Sequence, residues 1–126
     1  MSMLECAVRL EQEQYRPGEE LVGAFRVDGD PPEQYTIELS VLWRTEGKGD
    51  EDLGVVLFQE WSAEGNALEF DRPQPFAVQL PRSPLTYDGE LVKIRWMVRV
   101  RVRWNAGQEI VAEEPFQLGP GYRAKS

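Results

Sequence analysis

The 126 residues suffice for one domain with its own core, and 41% hydrophobic with 29% charged residues is ordinary for a globular chain. The net charge of −8 argues against partners such as nucleic acid or anionic lipid surfaces, because the field of the whole molecule repels phosphate groups. With no histidine and one cysteine, Cys6, the chain can form no intrachain disulfide and is a poor candidate for a zinc site.

The first half of the chain predicts four strands. The strand from Met3 to Leu10 places Cys6 on its apolar side, so we expect a buried and inert thiol. A turn at Pro17-Gly18 precedes a strand from Glu20 to Val27, and paired prolines end that strand. The third strand, Tyr35 to Thr45, alternates regularly. The fourth, Leu53 to Ala63, contains four consecutive apolar residues, which predicts a bulge or a strand covered on both faces.

The second half is dominated by one long alternating segment, Leu91 to Trp104. Its apolar residues share one parity and its cations share the other, which predicts a strand with one face in a core. Phe76, Val78 and Leu80 mark a fifth strand before it. A tight hairpin at Asn105 to Gly107 leads into the last strand, Gln108 to Leu118.

These elements predict an all-β fold, a two-sheet immunoglobulin-like β-sandwich of seven or eight mostly antiparallel strands. We expect residues 1–118 to form a single domain and residues 119–126 a flexible tail. The sequence has neither the features of a signal peptide nor an apolar run long enough to span a membrane, so we expect no membrane insertion and a cytoplasmic protein.

The five cations of the long strand admit two interpretations. The hairpin register places Arg99 opposite Glu113 and Arg103 opposite Glu109, so mutual neutralisation on a solvated sheet face is favoured, with Glu38 as a further partner. The alternative is an anion-binding face. Lys93, Arg95 and Arg101 have no partner in this hairpin and are the candidate residues for such a ligand.

An acidic loop offers a second candidate site. Asp50, Glu51 and Asp52, with Glu46 nearby, could supply oxygen ligands to calcium, although their spacing matches no known calcium loop and ordinary surface acidity is favoured. No phosphate-binding or dinucleotide motif and no catalytic motif is present, so we expect no cofactor and no enzymatic activity.

Three segments, in order, resemble the arrestin-like family, which includes the arrestins, the arrestin-fold subunit of retromer and bacterial sporulation-control relatives. They are Tyr15-Arg16-Pro17-Gly18-Glu19 with the strand after it, Tyr35 to Trp43, and Pro84 to Gly89 running into Val92 to Val102. Thr86 stands where the family usually has Ser, and Trp96 where it has Tyr or Phe.

The resemblance implies an immunoglobulin-like sandwich that acts in protein–protein interaction or as a scaffold. Arrestins and the retromer subunit have two such sandwiches, whereas this chain holds one. Their receptor-sensing lysine pair has no counterpart here, since the first strand carries only Arg9. We therefore expect another protein as partner, without receptor recognition. A homodimer through an exposed edge strand is a further alternative.

Overall fold

The computed structural model describes residues 3–49 and 51–119, and these residues form nine strands and no helix. The all-β prediction is confirmed, and two strands of two residues each, β2 and β7, bring the number above the expected seven or eight. None of the described residues lies in a helix that could cross a membrane. The strands are β1 (Glu5–Leu10), β2 (Gln14–Tyr15), β3 (Glu20–Asp28), β4 (Tyr35–Gly47), β5 (Leu53–Ser62), β6 (Gln74–Gln79), β7 (Tyr87–Asp88), β8 (Val92–Trp104) and β9 (Gln108–Leu118).

The strands form two sheets, as the sandwich prediction requires. The smaller sheet has the order β1-β3-β6, and the larger has the order β2-β9-β8-β4-β5, with β7 paired to β8. Every pairing is antiparallel except that of β2 with β9, which is parallel. β8 and β4 are the long central strands of the larger sheet, and β5 lies at its edge.

The core lies between the sheets and contains the side chains that the alternation predicts. Leu21, Phe25 and Val27 of β3 are buried against the inward residues of β4 and β8, and Trp96 is the largest side chain that is fully buried. Edge-to-face aromatic contacts, such as Phe25 on Trp61 with ring centroids 5.2 Å apart, cross this core.

The third segment of the family resemblance, Pro84 to Gly89 with the following strand β8, is held in place by hydrogen bonds. The Trp96 Nε1–H donates to the carbonyl oxygen of Pro84 at 2.8 Å. Thr86 exchanges two hydrogen bonds with Leu118 of β9, because its N–H donates to the Leu118 carbonyl and its hydroxyl accepts from the Leu118 N–H, each at 2.8 Å. These residues therefore fasten the chain before β8 to the last strand of the larger sheet.

The hairpin between β8 and β9 has the predicted register. Trp104 lies opposite Gln108, Arg103 opposite Glu109 and Arg99 opposite Glu113. Asn105 and Gly107 both have positive φ, at 53° and 87°, a conformation that Asn and Gly adopt readily in short hairpin connections.

The predicted irregularity of the fourth strand is a β-bulge in β5. Val41 of β4 pairs with Leu57, whereas the next residue, Leu42, pairs with Val55, so Val56 is the extra residue. Val56 and Leu57 both pack against the core. As a consequence, the alternation of β5 changes phase at Val56.

The predicted tail lies almost entirely outside the described residues. Gly119 is the last residue described, and its N–H donates to the carbonyl oxygen of Tyr15 at 3.0 Å.

Candidate functional site

The outer face of β8 carries the five cations, and carboxylates lie beside Arg99 and Arg103 as the hairpin register predicts. The Arg99 Nε lies 2.8 Å from Glu113 Oε2. Arg103 lies between two carboxylates, 3.3 Å from Glu38 and 3.4 Å from Glu109. Glu38 belongs to β4, so this network extends across three strands of the larger sheet.

Lys93, Arg95 and Arg101, which have no directly opposite acidic partner in the hairpin, each lie near a carboxylate. Lys93 Nζ lies 3.5 Å from Asp88, Arg95 Nε lies 3.4 Å from Glu46, and Arg101 Nε lies 3.8 Å from Glu109. Their partners come from β7, from β4 and from a diagonal position on β9, which the hairpin register alone could not supply. Binding of an anion by these three cations stays an untested prediction.

Arg101 is the least satisfied of the three cations. Its Nε is enclosed and has no hydrogen-bond partner among the described residues. The carboxylate of Glu38 lies directly across from it in register but bonds to Arg103 instead. The Arg101 side chain is still 34% exposed, so water can reach the guanidinium group beyond Nε.

Glu46 holds together two arginines that face each other across β4 and β8. Its Oε2 lies 3.4 Å from Arg44 Nε and its Oε1 lies 3.4 Å from Arg95 Nε, and these two arginines are direct register partners. The carboxylate therefore relieves a like-charge pair. Both of its oxygens have cationic partners, which leaves Glu46 poorly placed as a calcium ligand.

The acidic loop is closed by backbone contacts. The Asp52 N–H donates to Thr45 Oγ1 at 2.7 Å, and the Thr45 N–H donates to the Asp52 carbonyl oxygen at 3.0 Å. Glu51 and Asp52 are exposed, and Asp50 lies outside the described residues. Residues 3–49 and 51–119 contain no group of three acidic or cysteine side chains arranged to hold a metal ion.

Cys6 lies on the inward side of β1, as predicted, but it is half-buried rather than buried. Burial, and secondarily the carboxylate of Asp28, raises the pKa of its thiol from 9.0 to about 12. The thiolate is the nucleophilic form of cysteine, so this side chain is unsuited to nucleophilic catalysis near neutral pH.

A row of apolar side chains crosses the outer face of the larger sheet. The alternation of the strand sequences predicts mainly polar and charged side chains on this face. Val55, Leu42, Met97 and Pro115 lie side by side in register on β5, β4, β8 and β9. Leu42 and Met97 are only 2% and 4% exposed although they point away from the core between the sheets. Arg99 lies against Met97, with Nη2 4.0 Å from its sulfur, so arginine side chains help to cover the row.

At the edge of the sheet this apolar surface is uncovered. Leu53, Val55 and Phe58 all lie on the outer face of β5, since their register partners on β4 are the outward residues Arg44, Leu42 and Ser40. Their exposures are 60%, 51% and 55%. We call these three residues the β5 edge patch. On the side of β5 away from β4, the described part of the chain supplies no further strand.

Other exposed edges of the sandwich carry features that discourage strand pairing. The outward side chains of β1 include Glu5 and Arg9, β6 contains Pro75, and β9 beyond the two residues covered by β2 has three glutamates and Pro115. By contrast, residues 53–59 contain no charge and no proline. From Leu53 to Gln59, β5 thus has an apolar edge without charge or proline, whereas at the end of the strand the Ser62 N–H donates to the Asn66 carbonyl oxygen at 3.0 Å.

Sequence reasoning did not identify the β5 edge patch as a site. The apolar run from Val55 to Phe58 was interpreted as a bulge or as a strand covered on both faces. The structure confirms the bulge, and the outer face is bare. The available signal was an uncharged apolar segment bounded by Asp52 and Glu60, but sequence alone cannot place a strand at the edge of its sheet.

Comparison with known proteins supports the architecture at the level of the fold. No protein-family model matches the chain, and no curated protein does. Among solved structures the chain is similar to Spo0M, a sporulation control protein from Bacillus subtilis, with a TM-score of 0.62 and 17% sequence identity. The match covers 91% of this chain and 49% of that chain, so this chain spans about half the length of Spo0M.

The likeness to Spo0M shows an arrestin-like fold. In total, 116 chains of solved structures match this chain. Because one fold hosts many functions, the function of this chain has to be argued from its own surface.

Proposed function

We propose that the chain is a non-catalytic protein-interaction module of arrestin-like fold, and that its contact surface is the β5 edge patch together with the open edge of β5. The observation that carries the proposal is a ten-residue edge strand with three outward apolar side chains, Leu53, Val55 and Phe58, that are each more than half exposed. A partner strand that adds to this edge would satisfy its free backbone groups and cover the apolar side chains at once.

Binding accounts for the surface better than catalysis does. The sequence has no histidine, and the pKa of Cys6 is raised to about 12. An exposed apolar edge strand promotes aggregation and lowers solubility. A binding role gives a reason for this protein to keep the β5 edge patch exposed. We expect the module to act in the cytoplasm, and this compartment stays a prediction.

The alternative of a small-ligand site finds less support. Each of Lys93, Arg95 and Arg101 lies within 4 Å of a carboxylate, which competes with an incoming anion. Glu46 is shared by two arginines, which removes a nearby oxygen donor from a calcium site at Asp50, Glu51 and Asp52.

The proposal is tested by photo-crosslinking in the cells that make the protein. A photoreactive phenylalanine analogue replaces Phe58 in one variant and, as the control, Val111 in another; Val111 is an outward apolar residue of β9 that is 45% exposed. We expect a crosslinked protein at position 58 and much less at position 111. The partner, identified by mass spectrometry, should then slow amide hydrogen exchange in β5 when it is added to the purified chain. Equal crosslinking at both positions, or unchanged exchange in β5, would contradict the proposal.

A further inference from the structure

The alternation of β5 restricts which strand can pair with every residue of its open edge. Leu53 and Val55 face outward on one side of the bulge, and Phe58 and Glu60 face outward on the other side. Between them, Val56 and Leu57 both face the core. Directly opposed residues of paired strands point to the same face, so a partner with unbroken alternation must leave one residue of β5 unpaired at the bulge, as β4 does with Val56.

A second copy of β5 meets this restriction when it runs antiparallel. If a two-fold axis passes between Val56 and Leu57, each copy brings its own bulge to the same point. Val56 then lies opposite Leu57 of the second copy, both facing inward, and Val55 lies opposite Phe58, both facing outward. Further out, Gly54 opposes Gln59 and Leu53 opposes Glu60, and the faces match again.

The charges that flank the uncharged segment favour the same direction. Glu51 and Asp52 precede it and Glu60 follows it. In the two-fold antiparallel arrangement Asp52 lies opposite Trp61 and Glu51 opposite Ser62, so no carboxylates face each other. A parallel in-register pair would instead place Asp52 against Asp52 and Glu60 against Glu60, and like charges directly opposite each other are destabilising.

We propose that β5 pairs antiparallel with β5 of a second copy around this two-fold axis, so that the two larger sheets join into one continuous sheet. The inference rests on the proposed function, since it names the partner of the same surface. A two-fold contact is closed, so it ends at the dimer and protects the apolar segment from open-ended association.

The first test measures the mass of the full chain by sedimentation equilibrium over about 1 to 300 μM, because dimer formation depends on concentration. We expect a monomer–dimer equilibrium. Val55→Glu should raise the dimer dissociation constant by about tenfold or more, because it places an unpaired charge in the apolar contact. Val111→Glu adds the same charge at a similarly exposed valine and should change the constant by less than about threefold. A dimer that tolerates Val55→Glu would overturn the proposal, because it would use another face.

The second test measures the register by disulfide formation in a Cys6→Ala background. Chains carrying Val55→Cys are mixed with chains carrying Phe58→Cys under mild oxidation. The proposed register brings these two positions opposite each other, so the mixture should crosslink rapidly and either variant alone slowly. Rapid crosslinking of Val55→Cys alone would indicate parallel pairing and would overturn the proposal.

The outcomes separate this inference from the proposed function. A chain that stays monomeric at the highest concentration, yet still crosslinks a different protein at position 58, would refute the homodimer and keep the interaction module. A monomer that crosslinks nothing at position 58 would refute both.

Discussion

At the scale of the residue, the pKa of the Cys6 thiol reflects how strongly the inward side of β1 is shielded from water. This pKa is raised from 9.0 to about 12 because the inward side of β1 is shielded from water, with a smaller contribution from Asp28. Since the folded pKa lies above the unfolded one, the protonated thiol stabilises the fold fully below about pH 9, and this contribution is lost as the pH rises towards about 12.

The first prediction follows from this shift. Between about pH 8 and pH 11, the free energy of unfolding should fall more steeply for the natural chain than for Cys6→Ala, because only the natural chain gains a thiolate on unfolding. Urea denaturation at fixed pH values measures both slopes. The tyrosine and lysine titrations are common to the two chains and cancel in the comparison. Parallel curves would show that Cys6 titrates normally in the folded state.

At the scale of the element, the packing of β5 against β4 requires a glycine, a residue that is normally unfavourable within a strand. Gly54 of β5 lies opposite Trp43, and a Cβ at this position would come within 3 Å of three atoms of the indole ring. The indole therefore covers the bare backbone of β5 on its inward face, and the missing side chain is what permits this contact.

The second prediction is that Gly54→Ala destabilises the fold, although alanine usually suits a strand better than glycine does. We expect a loss of about 1–3 kcal/mol, because the added methyl group forces Trp43 out of its position. Gly119→Ala is the control, since a Cβ at Gly119 meets no atom of the described residues within 4 Å. Urea denaturation of both variants measures the difference. Equal stabilities would show that Trp43 can move at no cost.

The strands differ in how far the sequence could predict them. β8 and β9 were predictable because both faces of β8 have a strict period of two, and a single hairpin register keeps their apolar sides together. β2 was not predictable, because a strand of two residues has no periodicity. Its parallel pairing with β9 also joins segments about 100 residues apart in the sequence, at Gln14 and Gln117. Leu42 and Met97 have the outward parity of their strands, but their burial there depends on cover from neighbouring strands, such as Arg99 against Met97, that no single strand reveals.

The candidate site was the least predictable part, for the same reason. The partners of Arg99 and Arg103 lie directly across the hairpin, so local sequence located them. Those of Lys93 and Arg95 lie on β7 and β4, which become neighbours of β8 only in the folded sheet. The β5 edge patch depends on the order of strands in the sheet, a property of the whole fold.

At the scale of the whole molecule, the net charge of −8 opposes association while the β5 edge patch favours it. Two copies that approach each other repel over a distance set by the ionic strength, whereas the apolar contact between the two β5 strands has little charge of its own. The segment from Leu53 to Gln59 is uncharged, so salt has few attractive ion pairs to weaken at the contact.

The third prediction is therefore that the dimer strengthens with salt. Raising NaCl from about 20 mM to about 300 mM shortens the screening distance from about 20 Å to about 6 Å, which suppresses the repulsion between the two acidic molecules. We expect the dissociation constant to fall by about three- to tenfold and then to level off, because hydrophobic burial remains the driving force. Sedimentation equilibrium at several NaCl concentrations measures the trend, with Val111→Glu as a control that keeps the contact and should follow the same curve. A dimer that weakens with salt would instead be held by ion pairs, such as the arginines of β8 against the acidic loop of a second copy, and the apolar edge would not be the contact.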